Sequence, residues 1–258
     1  MGGFGRGRAY GGAELASFLL IHGAWHGAWC WERLTPLLQQ AGHRVVAPDL
    51  PSHGEDATPW WRATLGGYAR RVREAARRSG PEPVIAVGHS MGGLVVTQAA
   101  ADEPALFAGL VYVCGFAPVR GESLRSLGAS DPSTRVPQAT RLGLGALAVR
   151  PERAAETFYN RCDRADADAA AARLCPTPLL PLLQRVRRPV ELGLPLTYVE
   201  CTEDRAISLE LQRRMHRRLP MARVATLETD HSPLLSAPDA LARELDAAAG
   251  ALRGDGPP

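Results

Sequence analysis

Short, largely apolar runs recur along the chain, each bounded by glycine, proline or polar residues. They are Ser17–Ile21, Arg44–Ala47, Val84–Gly88, Leu110–Cys114, Leu196–Cys201 and Arg223–Leu227. Runs of this length, rich in valine, isoleucine and leucine, predict buried strands. Between them, apolar positions at helical spacing predict helices over Trp29–Gln40, Leu65–Arg78, Met91–Ala101, Leu209–Arg218 and Pro238–Ala249. Strands alternating with helices predict a parallel sheet covered on both faces.

From about Phe116 to Gly193 the alternation stops. That stretch is rich in alanine, arginine and proline, with helical fragments at Glu152–Arg161 and Ala165–Leu174. It is too apolar for a linker and returns to a strand, so it reads as an inserted lid. Leu179, Leu180, Leu182 and Leu183 are expected to face inward. The expected organisation is a disordered tail over 1–15, a core over 16–115 and 194–250, a helical cap over 116–193, and a disordered tail over 251–258.

Composition narrows this picture. A chain of 258 residues that is 45% hydrophobic suits one α/β domain. A net charge of +3, spread along the chain, gives no footprint for nucleic acid or an anionic membrane. The arginines of Leu65–Arg78 read as a solvated helix face. The first apolar stretch, Phe18–Ile21, is too short for a signal peptide or a membrane span. All 30 basic residues are arginine, which removes lysine Schiff-base chemistry and any Ser–Lys dyad. Five scattered cysteines (Cys30, Cys114, Cys162, Cys175, Cys201) read as reduced side chains of a cytoplasmic protein.

The chemistry centres on Gly88-His89-Ser90-Met91-Gly92-Gly93, directly after the third strand and opening a helix. This strand–Gly-x-Ser-x-Gly–helix pattern is a nucleophile elbow, whose strained turn lifts the serine hydroxyl out of the sheet. In open α/β sheets, reactive groups gather beyond the carboxyl ends of the strands. There the chain supplies Asp204 after the fifth strand and His231 after the sixth. They lie 114 and a further 27 residues along, in the order Ser–Asp–His. His231 would take the proton from Ser90, and Asp204 would orient and stabilise the imidazolium. Glu203 and Asp230 compete for the acid role on sequence alone. The backbone N–H groups of Ala24 and Met91 are the expected oxyanion donors. No metal-ligand spacing or phosphate loop is present, and no cofactor is expected.

The segments His22–Trp31 (HGAWHGAWCW), Asp49–Gly54 (DLPSHG), GHSMGG, Cys201–Ile207 (CTEDRAI) and Thr229–Leu235 (TDHSPLL) resemble the plant methylesterase and hydroxynitrile lyase group of the α/β-hydrolases. The resemblance runs from about residue 16 to 249 and is weakest in the lid. It implies an α/β-hydrolase fold: a six-stranded, mostly parallel sheet, helices on both faces, and a helical cap after the fourth strand. It also implies the triad Ser90, Asp204, His231 and a small-molecule ester as substrate, and a homodimer is compatible with it. Related lyases carry a lysine after the catalytic histidine and a threonine at the oxyanion glycine. Here those positions are Ser232 and Gly23, so the charge that would stabilise cyanide is missing. The expected activity is therefore serine-dependent hydrolysis of a small or medium apolar ester. Thioester hydrolysis or a cyclase, aldol or decarboxylative step in natural-product tailoring is the alternative. Trp25, Met91, Phe158, Tyr159, Leu179 and Leu183 are the expected pocket lining.

Overall fold

A computed structural model describes residues 16–187 and 193–253. Strand β1 (Ser17–Ile21), β2 (Arg44–Val46), β3 (Val84–His89), β4 (Phe107–Val113), β8 (Leu196–Cys201) and β9 (Met221–Leu227) form one sheet in the order β2-β1-β3-β4-β8-β9. Every pairing in it is parallel. Three shorter strands, β5 (Thr140–Leu142), β6 (Ala146–Val149) and β7 (Thr177–Pro178), form a separate antiparallel sheet.

Side chains alternate across the main sheet. Leu19, Ile21, Val84 and Ala86 enter one apolar layer, and Phe18, Leu20, Ile85 and Val87 the other. The first layer is closed by α2 (Leu65–Arg78), α3 (Met91–Asp102) and α9 (Leu209–His216), through Tyr68, Val72, Leu94, Val95, Leu211 and Met215. The second is closed by α1 (Leu34–Gln40) and α11 (Pro238–Arg253), through Leu34, Leu38, Leu241 and Leu245. A short α10 (Pro233–Ser236) precedes α11. With both faces covered, the carboxyl edge of the sheet is where polar groups converge.

Two helices differ from expectation. The stretch Trp29–Gln40 is not one helix: Ala28–Trp31 is a 3-10 turn, and α1 starts only at Leu34. Asp49 Oδ1 accepts the Ala28 N–H at 2.6 Å and fixes the chain there. Pro36 fits the first turn of α1 but could not sit deeper in a longer helix. α11 runs to Arg253, three residues into the stretch read as a tail. The expectations for 1–15 and 254–258 fall outside the described residues.

Residues 116–187 hold α4 (Leu124–Gly128), α5 (Val136–Ala139), α6 (Pro151–Phe158), α7 (Arg164–Ala172) and α8 (Leu179–Leu183) together with β5, β6 and β7. The antiparallel sheet was not legible in the pattern, because its strands are only two to four residues long. The expected inward row of leucines is also incomplete. Leu182 is buried, whereas Leu180 and Leu183 are exposed at 45% and 47%. All five cysteines are free thiols. Among the described residues, no helix is long and apolar enough to cross a membrane.

Candidate active site

Ser90 sits between β3 and α3 with φ 52° and ψ −120°, a left-handed conformation that costs a non-glycine residue of order 1–3 kcal/mol. The chain around it is too closely packed for side chains. A Cβ on Gly88 would lie 2.6 Å from the Gly92 carbonyl carbon, and one on Gly92 would lie 2.3 Å from the Ile21 carbonyl oxygen. The strained turn is held on both sides: Ser90 donates its N–H to Val113 O at 3.2 Å, and its carbonyl accepts from Phe116 N–H at 2.9 Å. The hydroxyl-bearing residue is thereby fixed at the carboxyl edge of the sheet.

His231, in the loop after β9, donates from Nδ1 to Asp204 Oδ2 at 2.7 Å, and both side chains are buried. The Asp204 carboxylate is otherwise well supplied. Oδ1 accepts the Ala206 and Ile207 N–H groups at 2.7 and 2.8 Å, and Oδ2 accepts from Gln212 Nε2 at 3.3 Å. A buried anion with this many donors is held without a free lone pair to misdirect the ring.

The competing carboxylates point elsewhere. Asp230 Oδ1 accepts from Ser232 N–H and Ser236 Oγ, and its Oδ2 accepts the Arg161 N–H at 2.8 Å. Glu203 pairs with Arg161. Of the three carboxylates left open by the sequence, only Asp204 touches the histidine ring.

Ser90 and His231 face one cavity of about 300 Å³. Among the described residues, no hydrogen bond within 3.5 Å joins the Ser90 hydroxyl to the ring, a contact that commonly tightens only when substrate is bound. Ala24 lines this cavity, and among the described residues neither its N–H nor that of Met91, the residue after the nucleophile, has a hydrogen-bond acceptor. Gly23 packs against the nucleophile: a Cβ there would lie 2.9 Å from Ser90 Cβ and 3.2 Å from His89 Nδ1.

The cavity wall is largely apolar. It includes Ala24, Trp25, Phe116, Leu124, Val136, Leu147, Leu182 and Ile207, with Thr134 and Arg125. Of the lining residues expected from sequence, Trp25 is in place. Phe158, Tyr159, Leu179, Leu183 and the Met91 side chain are not in the wall. Phe158 is buried behind Trp25 and His231, its ring centre 5.4 and 5.9 Å from theirs. Tyr159 donates to His26 Nε2 at 2.8 Å. Leu183 lines a separate groove with Thr64, Gln98 and Arg185, and its near neighbour Leu182 takes the cavity position. Leu179 is half-buried, with its N–H bound to Gly145 O. The two residues interchanged here are neighbours on one short helix, and periodicity over five residues cannot phase them.

The remaining histidines are structural supports. His22 donates from Nδ1 to Gly23 O at 2.8 Å and accepts the Leu50 N–H on Nε2 at 3.0 Å. His89 donates from Nε2 to His231 O at 2.7 Å. Burial, reinforced by neighbouring histidines, holds both well below the usual imidazole range. His26 donates from Nδ1 to Ala24 O at 2.7 Å, and burial lowers it to about 4. His89, Cys114 and His231 bring three ligand-type atoms within 4.8 Å of one another. Since His89 and Cys114 both donate to the His231 carbonyl, this cluster reads as packing around the ring and not as a metal centre.

A model of the alpha/beta hydrolase family matches residues 18–244. The chain is 30% identical to Methylesterase 2 of Arabidopsis thaliana, over 88% of this chain and 94% of that protein. It is 39% identical to a carbendazim hydrolyzing esterase of a Nocardioides strain, over 44% of this chain and 47% of that protein. The crystal structure of a pyrethroid hydrolase from Sphingobium faniae superimposes with a TM-score of 0.81 and 25% identity, covering 90% of this chain and 96% of that one.

Proposed function

This chain belongs to the alpha/beta hydrolase family, and we propose that within it the protein is a serine carboxylesterase using Ser90, His231 and Asp204. The observation that carries the reading is the 2.7 Å His231–Asp204 hydrogen bond at the wall of the cavity that Ser90 also faces. Ser90 Oγ attacks the ester carbonyl carbon while His231 Nε2 takes the hydroxyl proton. Asp204 stabilises the imidazolium that results. The developing oxyanion is received by the N–H groups of Ala24 and Met91. Collapse of the tetrahedral adduct breaks the C–O bond, and the departing alkoxide takes the proton from His231. His231 then takes a proton from water as the water oxygen adds to the acyl carbon. Collapse of that second adduct breaks the bond to Ser90 Oγ and releases the acid, and His231 returns its proton to Oγ.

The largely apolar wall and the volume of about 300 Å³ suit a small or medium apolar acyl group. The methylesterase and pyrethroid hydrolase relatives support an ester with a small alcohol or an apolar acid as substrate class. The five free thiols are in keeping with a reducing, cytoplasmic compartment.

The test is turnover of a panel of methyl and p-nitrophenyl esters by wild type and Ser90→Ala, with fluorophosphonate labelling of both. Wild type should turn over at least one ester and be labelled at Ser90. Unchanged turnover by Ser90→Ala, or a wild type that neither labels nor hydrolyses, would overturn the reading.

A further inference from the structure

Trp25, like Ser90, has a left-handed backbone: its φ is 64°. Its neighbour Ala24 carries the oxyanion donor. The peptide unit joining the two is gripped at both poles. Its carbonyl, Ala24 O, accepts from His26 Nδ1 at 2.7 Å, and its N–H, on Trp25, donates to Thr177 Oγ1 at 2.6 Å. Thr177 is fully buried and comes from β7 of the inserted segment, 152 residues away along the chain.

Thr177 is itself oriented. Its Oγ1 lies 3.0 Å from His53 Nε2, and His53 Nδ1 lies 3.2 Å from Pro51 O. The Tyr68 hydroxyl also lies 3.4 Å from Nδ1 and can accept as well as donate. The shorter contact is to a carbonyl, which can only accept, and it places the proton on Nδ1 and leaves Nε2 to accept from the threonine hydroxyl. The hydroxyl proton is therefore committed to His53, and a lone pair of Oγ1 is turned to the Trp25 N–H. Burial lowers His53 to about 4, which keeps the ring neutral and this polarity intact at neutral pH.

Further contacts from the inserted segment complete the grip. Cys175 N–H donates to Trp25 O at 2.8 Å, and Trp25 Nε1 donates to Leu147 O at 2.8 Å. Tyr159 holds His26 as described. A peptide plane fixed at its N–H and its C=O leaves the preceding Ala24 N–H little freedom to swing.

We propose that Thr177 is a positioning residue for the reaction: its hydroxyl, aligned by His53, locks the Ala24–Trp25 peptide and so aims the Ala24 N–H at the oxyanion. The inference rests on the esterase reading above, because it takes Ala24 as the oxyanion donor. It makes the inserted segment a structural part of the rate-determining machinery and not only a cover for substrate.

The test compares wild type with Thr177→Val, which keeps the shape and loses the hydroxyl, and Thr177→Ser, which restores it. For a p-nitrophenyl ester, kcat should fall roughly 10- to 100-fold in Thr177→Val with KM changed by no more than about twofold. Thr177→Ser should recover most of the loss. Amide hydrogen exchange read at Trp25 supplies an arm independent of activity. The amide should be slow in wild type and in Thr177→Ser, and faster in Thr177→Val. If Thr177→Val does not fold, slow exchange at Trp25 in the other two proteins supports the proposal. Fast exchange at Trp25 in wild type overturns it. So does full kcat in folded Thr177→Val, a loss confined to KM, or no recovery with serine. Failure of the esterase reading shows separately, as absence of turnover and of Ser90 labelling in wild type.

Discussion

Tyr159 donates its hydroxyl proton to His26 Nε2 at 2.8 Å, and both groups are buried. The other ring nitrogen of His26 holds Ala24 O, so this one phenol steadies the ring that steadies the oxyanion turn. Tyr159→Phe removes the donor and leaves a buried acceptor unpaired, a cost of about 1–3 kcal/mol. The expected result is a thermal midpoint several degrees lower by calorimetry, with a smaller loss of kcat than Thr177→Val shows.

The acid assignment separates by substitution. Asp204→Asn should lower kcat roughly a thousand- to ten-thousandfold, because an amide that donates to the ring selects the wrong tautomer. Asp230→Asn should leave kcat within about tenfold of wild type while lowering stability, since Asp230 secures the Arg161, Ser232 and Ser236 contacts and not His231. Steady-state kinetics and melting curves on the two variants check this.

Pocket breadth should respond to one leucine and not to its neighbour. Leu182→Ala enlarges the cavity wall and should shift preference towards bulkier acyl groups, read as the ratio of kcat/KM for a long and a short ester. Leu183→Ala, in the separate groove, should leave that ratio unchanged.

Acid should weaken the fold before it protonates the folded histidines. His26 and His53 are both lowered by burial to about 4 from an ordinary value of 6.5. Above pH 6.5 both folded and unfolded forms are neutral and no difference arises. Between 6.5 and about 4 the unfolded chain binds protons that the native state refuses, so stability falls as pH falls. The slope is about 1.4 kcal/mol per pH unit for each such histidine. Urea unfolding at pH 7.5, 6 and 5 reads this directly, and a flat profile would show the two rings to be solvated.

Gly23→Ala places a methyl 2.9 Å from Ser90 Cβ. The nucleophile or the oxyanion turn must move, and turnover should fall by about a hundredfold with the fold intact by circular dichroism.

The sheet was legible because buried parallel strands write themselves as continuous apolar runs. The elbow was legible because Gly88 and Gly92 leave no room for side chains, and that constraint is local. Asp204 could be narrowed only to three carboxylates, since the choice depends on which oxygen meets the ring across the end of the sheet. The inserted segment resisted reading for a different reason. Its strands are too short to show a period, and Thr177 acts through contacts with Trp25 and His53 that are 152 and 124 residues distant. His53 stood in view inside DLPSHG, yet nothing local tells that its ring aligns a hydroxyl from elsewhere.

The hydrogen bonds from Thr177 and Cys175 to Trp25 bear on how such enzymes can be re-engineered. Exchanging the inserted segment with that of another esterase is an obvious way to import a new substrate preference. In this protein the exchange would also remove the brackets that keep the donor turn in its left-handed shape. A chimera would need the recipient's own threonine and the amide two residues before it grafted back at matching depth. Without them, a redesigned pocket would bind its new ester and turn it over slowly.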